Sequence, residues 1–389
     1  MRGDNISSEY KIPDEYYFRL HHVRPRFKGD IENVLIYVAE EIARVGEMEK
    51  REFVKAVDSA IYRYPGNANK TEKTIKNWRT EISALFGFIQ HTDNFQKPGR
   101  RAIELAQHQD LVECFKVFLY NFQYPGAHIK PGSVQEQIEY GIKFKPAQYI
   151  LKLLRYANKD GGNSIGITKF EVCHCIFNDL RVTRDDRDVA ETWELISENR
   201  NNRKGYDQTG DVIRYAGDII DYMEIANLLK TYDSYTYYLN TLEEEAIIKF
   251  CESDEWFSEY DRMINQKKGN LEEIKECTNG WFEYVNRDMT NTDFSTDILA
   301  YIASDEEELQ LLKEETENAG KGGVADLFER DEVIEKHLAI YYDLLTTKDI
   351  GDIGENLVHG HECMRVKLGG REDLIRKRCG KACRDPEGL

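Results

Sequence analysis

The chain has 389 residues, of which 41% are hydrophobic and 32% charged; its mean hydropathy is -0.63 and its formal net charge -18. That length predicts two or three domains with cores of their own. No apolar run approaches a membrane span, and there is no Walker loop, GxSxG or HExxH motif, which argues against helical membrane proteins, P-loop NTPases, α/β-hydrolases and zincins.

The acidity is confined. Residues 241–347 carry 10 Lys and Arg against 28 Asp and Glu, whereas residues 1–130 carry 20 against 18, residues 131–240 carry 14 against 17, and residues 348–389 carry 9 against 8. A segregated acidic segment stays off nucleic acid while the near-neutral remainder, with its basic clusters, is able to bind it. The first residues, MRGDNISSEYKIPDEYY, hold no apolar signal segment. The eight cysteines (114, 173, 175, 251, 277, 363, 379 and 383) are scattered. Both features predict a cytoplasmic protein with free thiols.

Residues 1–30 read as a polar, aromatic arm holding Arg19, Arg24, Arg26 and Lys28 beside Tyr16, Tyr17, Phe18 and Phe27. Basic arms track phosphates or enter a groove. A solvated terminus, partly docked by its aromatics, fits the same residues.

Apolar periodicity predicts helices over 31–45 and 48–62, a turn at Tyr64-Pro65-Gly66-Asn67, and an amphipathic helix over about 71–90. A β-compatible stretch over 94–105 follows, with Lys97-Pro98-Gly99 as its turn, and then a helix over 107–120. Two helices, a turn, a third helix and a hairpin make the order of a winged helix-turn-helix module, here residues 31–126.

On the third helix, Ile75, Trp78, Ile82, Leu85, Phe86 and Ile89 share one face, and Lys73, Lys76, Asn77 and Thr80 gather on the other. Those polar types suit base edges: Lys donates to guanine, Asn pairs with adenine, and Thr meets the thymine methyl. Arg79, at the border, suits a phosphate or a guanine. An ordinary solvated face has the same periodicity.

A second unit over 127–250 repeats the theme. Helices are predicted at 145–158, 167–178, 185–200 and 209–229, and Tyr232–Tyr238 reads as a strand or hairpin. Asn199 to Lys204 forms a basic loop offering Arg200, Asn202, Arg203 and Lys204. Arg214, Asp218 and Asp221 are assigned to the exposed face of the following helix, opposite Ala216, Ile219, Ile220 and Met223. Residues 251–347 are expected to be an acidic helical connector, broken at Asn279-Gly280 and at Gly320-Lys321-Gly322-Gly323. Cys173-His174-Cys175 lacks the spaced partner pair of a zinc site. Glu273-Ile274-Lys275 is an isolated Glu-x-Lys in a helical context.

The run Phe118 to Gly126, then Lys145-Pro146 with Ile150 to Leu154, then Gly166 to Glu171, resembles type IIS restriction and nicking endonucleases. So do Lys73, Asn77 and Arg79 to Ile82, and Tyr222 to Leu228. The likeness spans about residues 18–250. It implies two winged-helix modules that read double-stranded DNA as a monomer, ahead of a separate cleavage domain. It also turns the face at Lys73, Lys76, Asn77, Arg79 and Thr80 into an expected base-reading surface.

Gly354-Glu355-Asn356-Leu357 with His361-Glu362 and Gly369 to Leu374 resembles the opening helix of a PD-(D/E)xK nuclease core, with Glu355 as its early carboxylate. In such a core an Asp and a Glu-x-Lys would follow and hold Mg²⁺. Neither follows Glu355 here, so residues 348–389 are expected to be a truncated nuclease start, with no cofactor in this chain and Mg²⁺ only in the intact enzyme. The missing core would then come from another domain or subunit. The expected fold class is α+β, mainly α. A stand-alone winged-helix regulator and a helical interaction protein that binds no DNA remain open alternatives.

Overall fold

The computed structural model describes residues 9–22 and 31–294, apart from residues 66, 68–69, 92–93, 161–163, 209–211, 234, 265–270, 290–291 and 293. Arg24, Arg26, Lys28, Glu355, the expected nuclease start and most of the acidic connector lie outside the described residues.

Helical spacing of apolar side chains sets the first unit. Helix α1 (Ile31–Val45) buries Val34, Leu35, Val38 and Ile42. After strand β1 (Met48–Glu49), helix α2 (Lys50–Arg63) buries Phe53, Val57, Ala60 and Ile61. Helix α3 (Glu72–Phe86) starts where the Thr71 side chain accepts the Thr74 amide, an N-cap bond of 3.3 Å. It ends at Phe86, earlier than the periodicity predicts, because Gly87 turns left-handed at φ 67. A Cβ there would also lie 2.9 Å from Val285 Cγ2, so both conformation and space require glycine.

The chain then forms a hairpin of strands β2 (Ile89–His91) and β3 (Phe95–Pro98). Strand β3 is central in an antiparallel sheet of order β1-β3-β2, with Met48 opposite Gln96 and Ile89 opposite Pro98. The expected turn at Lys97-Pro98-Gly99 is therefore corrected: Lys97 and Pro98 end the central strand. Gly99 is the N-cap of α4 (Arg100–His108), which also takes residues 100–105 out of the predicted β stretch. Gln109, at φ 52, stops α4, and Asp110 accepts the Glu113 amide to start α5 (Leu111–Asn121). The single helix expected over 107–120 is thus two.

Helices α6 (Pro131–Glu139) and α7 (Pro146–Ala157) each begin at a proline, whose missing N–H costs nothing in the first turn. Strand β4 (Ile167–Thr168) leads into α8 (Lys169–Val172) through a capping box of Thr168 and Glu171. A π turn at Cys173–Phe177 prolongs α8, so the helix predicted over 167–178 begins as a strand. Helices α9 (Leu180–Thr183), α10 (Val189–Asn201) and α11 (Val212–Ile225) follow, then strands β5 (Leu229–Thr231) and β6 (Thr236–Leu239). The second sheet has order β4-β6-β5, again antiparallel with its last strand in the centre.

Helices α12 (Glu244–Glu252), α13 (Asp261–Ile264) and α14 (Leu271–Val285) complete the described chain. Helix α14 runs unbroken through Asn279-Gly280, where a break was expected. Gly280 is there for clearance, since an added Cβ would collide with the Glu259 carboxylate.

Mainly helical with two small antiparallel sheets, the fold matches the expected class at that level. One core runs through both units, from Tyr10 to Phe294. A smaller cluster joins Ala127, Ile129, Val134 and Ile138 to Phe257, Tyr260, Ile274, Trp281 and Phe282.

Inside the main core, the fully buried Lys116 of α5 donates to Glu243 Oε2 at 2.7 Å and to the Phe294 carbonyl at 3.0 Å. Glu243 is itself only 5% exposed. Removing one member of a buried pair strands the other charge. Lys116→Met is expected to lower the unfolding free energy by about 3–5 kcal/mol, read from urea denaturation, with Lys116→Met/Glu243→Gln less destabilised than the single variant.

Candidate nucleic-acid interface

Thr71 caps α3, so its first turn is well formed and projects the expected reading residues from a rigid element. Lys73 and Lys76 are exposed and Asn77 is half-buried, while Ile75 and Trp78 face the core. Lys76 lies 2.6 Å from Glu72 in an exposed i,i+4 pair, worth only a few tenths of a kcal/mol. Arg79 differs: its side chain is 18% exposed and its guanidinium donates to Asp58 of α2, bracing α3 against α2. Thr80 lies on the α3 backbone, but its side chain is outside those described.

In the second unit the expected basic loop is shorter, because Asn199, Arg200 and Asn201 belong to the last turns of α10. Arg200 reaches back to Glu171, with its Nε 2.7 Å from Oε1, and to the Gly166 carbonyl at 2.7 Å. Its guanidinium also lies over Trp193. Arg200 therefore fastens α10 to the start of α8. Asn202 and Arg203 remain exposed, Arg203 in a left-handed turn at φ 51, and the Lys204 ammonium lies 5.9 Å from the Tyr10 ring centre.

Arg214 is exposed on α11 as expected. The rest of that predicted face is corrected. Asp218 is 1% exposed, and Asp221 is drawn into an ion pair with Lys169 of α8. Burial of Asp218 and the pairing of Asp221 with Lys169 of α8 take both carboxylates off the predicted solvent face of α11.

The described part of the arm, residues 9–22, is docked rather than loose. Tyr10, Ile12, Phe18 and Leu20 are buried, Glu9 bridges Gly205 in parallel, and the Phe18 amide donates to the Asn178 carbonyl at 3.0 Å. The fully buried Asp179, paired with Arg181 and Arg187, sits beneath it and bridges Tyr17. At the end of this strap His22 Nδ1 lies 2.9 Å from the Tyr124 hydroxyl. The docking lays Arg19 on Tyr215 of α11, with Nη2 3.3 Å from the phenol oxygen and the guanidinium 5.7 Å from the ring centre. Arg19 is thus brought to α11, from a part of the sequence almost 200 residues away. Alternating apolar residues at 10 and 12, and at 18 and 20, were the sequence signal for docking.

Helices α3 and α11 also touch. Phe86, the last residue of α3, meets Tyr222 of α11 edge to face with centroids 6.0 Å apart. Phe115 and Phe118 of α5 pack on both rings at 5.1–5.7 Å.

Among the described residues, no three His, Cys, Asp or Glu side chains gather as a metal site. Cys173 and Cys175 are buried, and burial pushes both thiols up to about 12, so they are poor ligands and nucleophiles. Glu273-Ile274-Lys275 lies on α14, away from any strand. No helix among the described residues is long and apolar enough to cross a membrane.

Residues 10–282 match the family model described as the N-terminal region of restriction endonuclease BpuJI. The chain belongs to this family. A solved structure of pyrene- and phenanthrene-modified DNA in complex with the BpuJ1 endonuclease binding domain has the same fold. The two chains share 23% identity with a TM-score of 0.63, over 71% of this chain and all of that one. No curated protein matches the chain. The matched span of the BpuJI family region takes in the docked strap, both sheets and most of α14.

A half-buried and a buried histidine, His91 and His128, make this region sensitive to acid. Burial, and then the charge of Lys50, lowers His91 of β2 from 6.5 to about 4; burial, and then His22, holds His128 well below 6.5. A folded-state value below the unfolded one means that the unfolded chain takes up protons first. The contribution of each ring is then complete above pH 6.5 and falls as the pH drops below it, that of His91 being lost by about pH 4, at most about 1.4 kcal/mol per pH unit. Urea midpoints at pH 7 and 5 are expected to differ less in His91→Gln than in the parent chain.

Proposed function

We propose that this chain reads the sequence of double-stranded DNA as the targeting part of a type IIS restriction endonuclease. The observation that carries it is the pairing of α3 and α11. Each is followed at once by a hairpin whose second strand pairs with a strand from before the helix. That order of elements suits a winged helix-turn-helix module, here twice over, with the two helices held against each other through one aromatic cluster. Membership of the BpuJI family, and the DNA bound to the binding domain of similar fold, support the same reading.

A helix with its side chains is about 10–12 Å across, the width of the major groove. Lys73, Lys76, Asn77 and Thr80 would meet base edges there. Arg19, Arg214, Asn202, Arg203 and Lys204 would contact DNA from the second module, and Arg24, Arg26 and Lys28 would continue the strap along phosphates. Arg79 and Arg200 leave the contact set, because Asp58 and Glu171 hold them as braces. The chain would read an asymmetric site as a monomer. Cleavage in the intact enzyme would be Mg²⁺-dependent phosphodiester hydrolysis by a nuclease core, domain or subunit distinct from this region, with Glu355 in that core's opening helix.

Selection from a random duplex pool, followed by titration of the winner against scrambled duplex, tests the reading. Specific binding at least about 10³-fold above scrambled is expected, on an asymmetric motif. A palindrome would favour a dimeric regulator, and no enrichment would defeat the proposal. Asn77→Ala is expected to cost about 1–3 kcal/mol and relax preference at one base position. Lys73→Ala, losing one phosphate or guanine contact, should reduce the salt dependence of binding by about one unit of slope if the contact is to phosphate. Filter binding at several salt concentrations distinguishes the two.

A further inference from the structure

A small cavity lies under the last turn of α3, lined by Leu85 and Phe86 of α3, Arg101 of α4, Phe118 and Asn121 of α5, the neighbouring Phe122, and Trp281 and Val285 of α14. Its volume open to a water-sized sphere is ≈ 10 Å³. That is about the least that holds one water.

Most of the lining is apolar, but three buried polar atoms of the lining residues have no hydrogen-bond partner among the described residues. They are Arg101 Nε, Asn121 Oδ1 and Trp281 Nε1. All three side chains are more than nine-tenths buried. Leaving such groups unsatisfied costs about 1–3 kcal/mol each, so a cluster of three calls for a common partner.

The chemistry of the three atoms is specific. Arg101 Nε and Trp281 Nε1 are donors only. Asn121 presents an acceptor, and its amide cannot simply be flipped: Nδ2 donates to the Val117 carbonyl at 2.9 Å, four residues back in α5. The rest of Arg101 is already placed, with Nη2 2.9 Å from the Arg287 carbonyl and Nη1 2.9 Å from Glu104. Two donors and one acceptor, on three residues that line one small space, complement a molecule with two lone pairs and at least one hydrogen.

We infer that this cavity is a binding site for a single structural water, which accepts from Arg101 Nε and Trp281 Nε1 and donates to Asn121 Oδ1. Its remaining hydrogen faces the rings of Phe86, Phe118 and Phe122. The water joins α4, α5 and α14 directly beneath α3, so α14 is hydrogen-bonded into the body that carries the proposed reading helix. An ion would not suit the site. A cation would meet two donors, and an anion would meet the Asn121 carbonyl oxygen with apolar rings around it.

The experiment is a crystal structure of the unliganded chain at a resolution that shows ordered water. The expected result is a peak at about 2.7–3.2 Å from all three atoms. An empty cavity, or a direct bond between Trp281 and Asn121, would overturn the inference. In solution, water-oxygen magnetic relaxation dispersion should count one long-lived internal water fewer in Asn121→Leu than in the parent chain. An equal count would also overturn it. The crystallographic arm stands alone if Asn121→Leu does not fold, and neither arm depends on whether the chain binds DNA.

Discussion

The contact of Phe86 with Tyr222 sets the geometry on which the rest of the molecule depends. Phe86 closes α3, Tyr222 lies more than two turns into α11, and Phe115 and Phe118 of α5 fill the space around both. Edge-to-face ring pairs contribute about 0.5–1.5 kcal/mol each beyond the area they bury. More important is their rigidity, since large rings at interior packing density leave no room for one helix to slide past the other. Two modules that would otherwise be joined by a connector become a single body with one core. If both helices read one duplex, this cluster fixes the separation between the base pairs they reach.

Polar groups in the interior restrict that arrangement further. The Lys116–Glu243 pair ties α5 to the turn that leads into α12, and any packing that parts them leaves a charge in apolar surroundings. Gln123 behaves like a strand residue, accepting the Phe257 amide at 2.8 Å and donating to the Phe257 carbonyl at 3.1 Å. Asp179 serves the arm in the same way: fully buried, it holds Arg181 and Arg187 and bridges Tyr17. Each bond joins residues from distant parts of the chain or anchors a segment that does. The apolar core supplies the driving force, and these bonds penalise alternative arrangements of the same surfaces.

Most helices were legible because their signals are local. The apolar faces of α1, α2 and α3, helix α7, and the tyrosine-rich hairpin at the end of the second unit all lie within short windows. The errors have physical causes as well. Gly280 looks like a breaker until the Glu259 carboxylate is seen against it, and Lys97-Pro98-Gly99 looks like a turn until β1 is seen pairing with β3. Asp218 and Asp221 were assigned to solvent because periodicity cannot say that tertiary packing buries Asp218 or that Lys169 of α8 comes to Asp221.

The sequence by itself determined the mainly helical class, the positions of most helices, the confinement of acidity to one segment, and the polar face at Lys73, Lys76 and Asn77. These follow from backbone propensity and side-chain period, which neighbouring residues decide. Only the tertiary structure decided that Arg79 and Arg200 act as braces, that the arm is a strap carrying Arg19 onto Tyr215, and that α3 and α11 form one unit. A guanidinium looks the same in a sequence whether it faces solvent or a carboxylate. Its partner is brought to it by the packing of distant segments, and no local pattern encodes that.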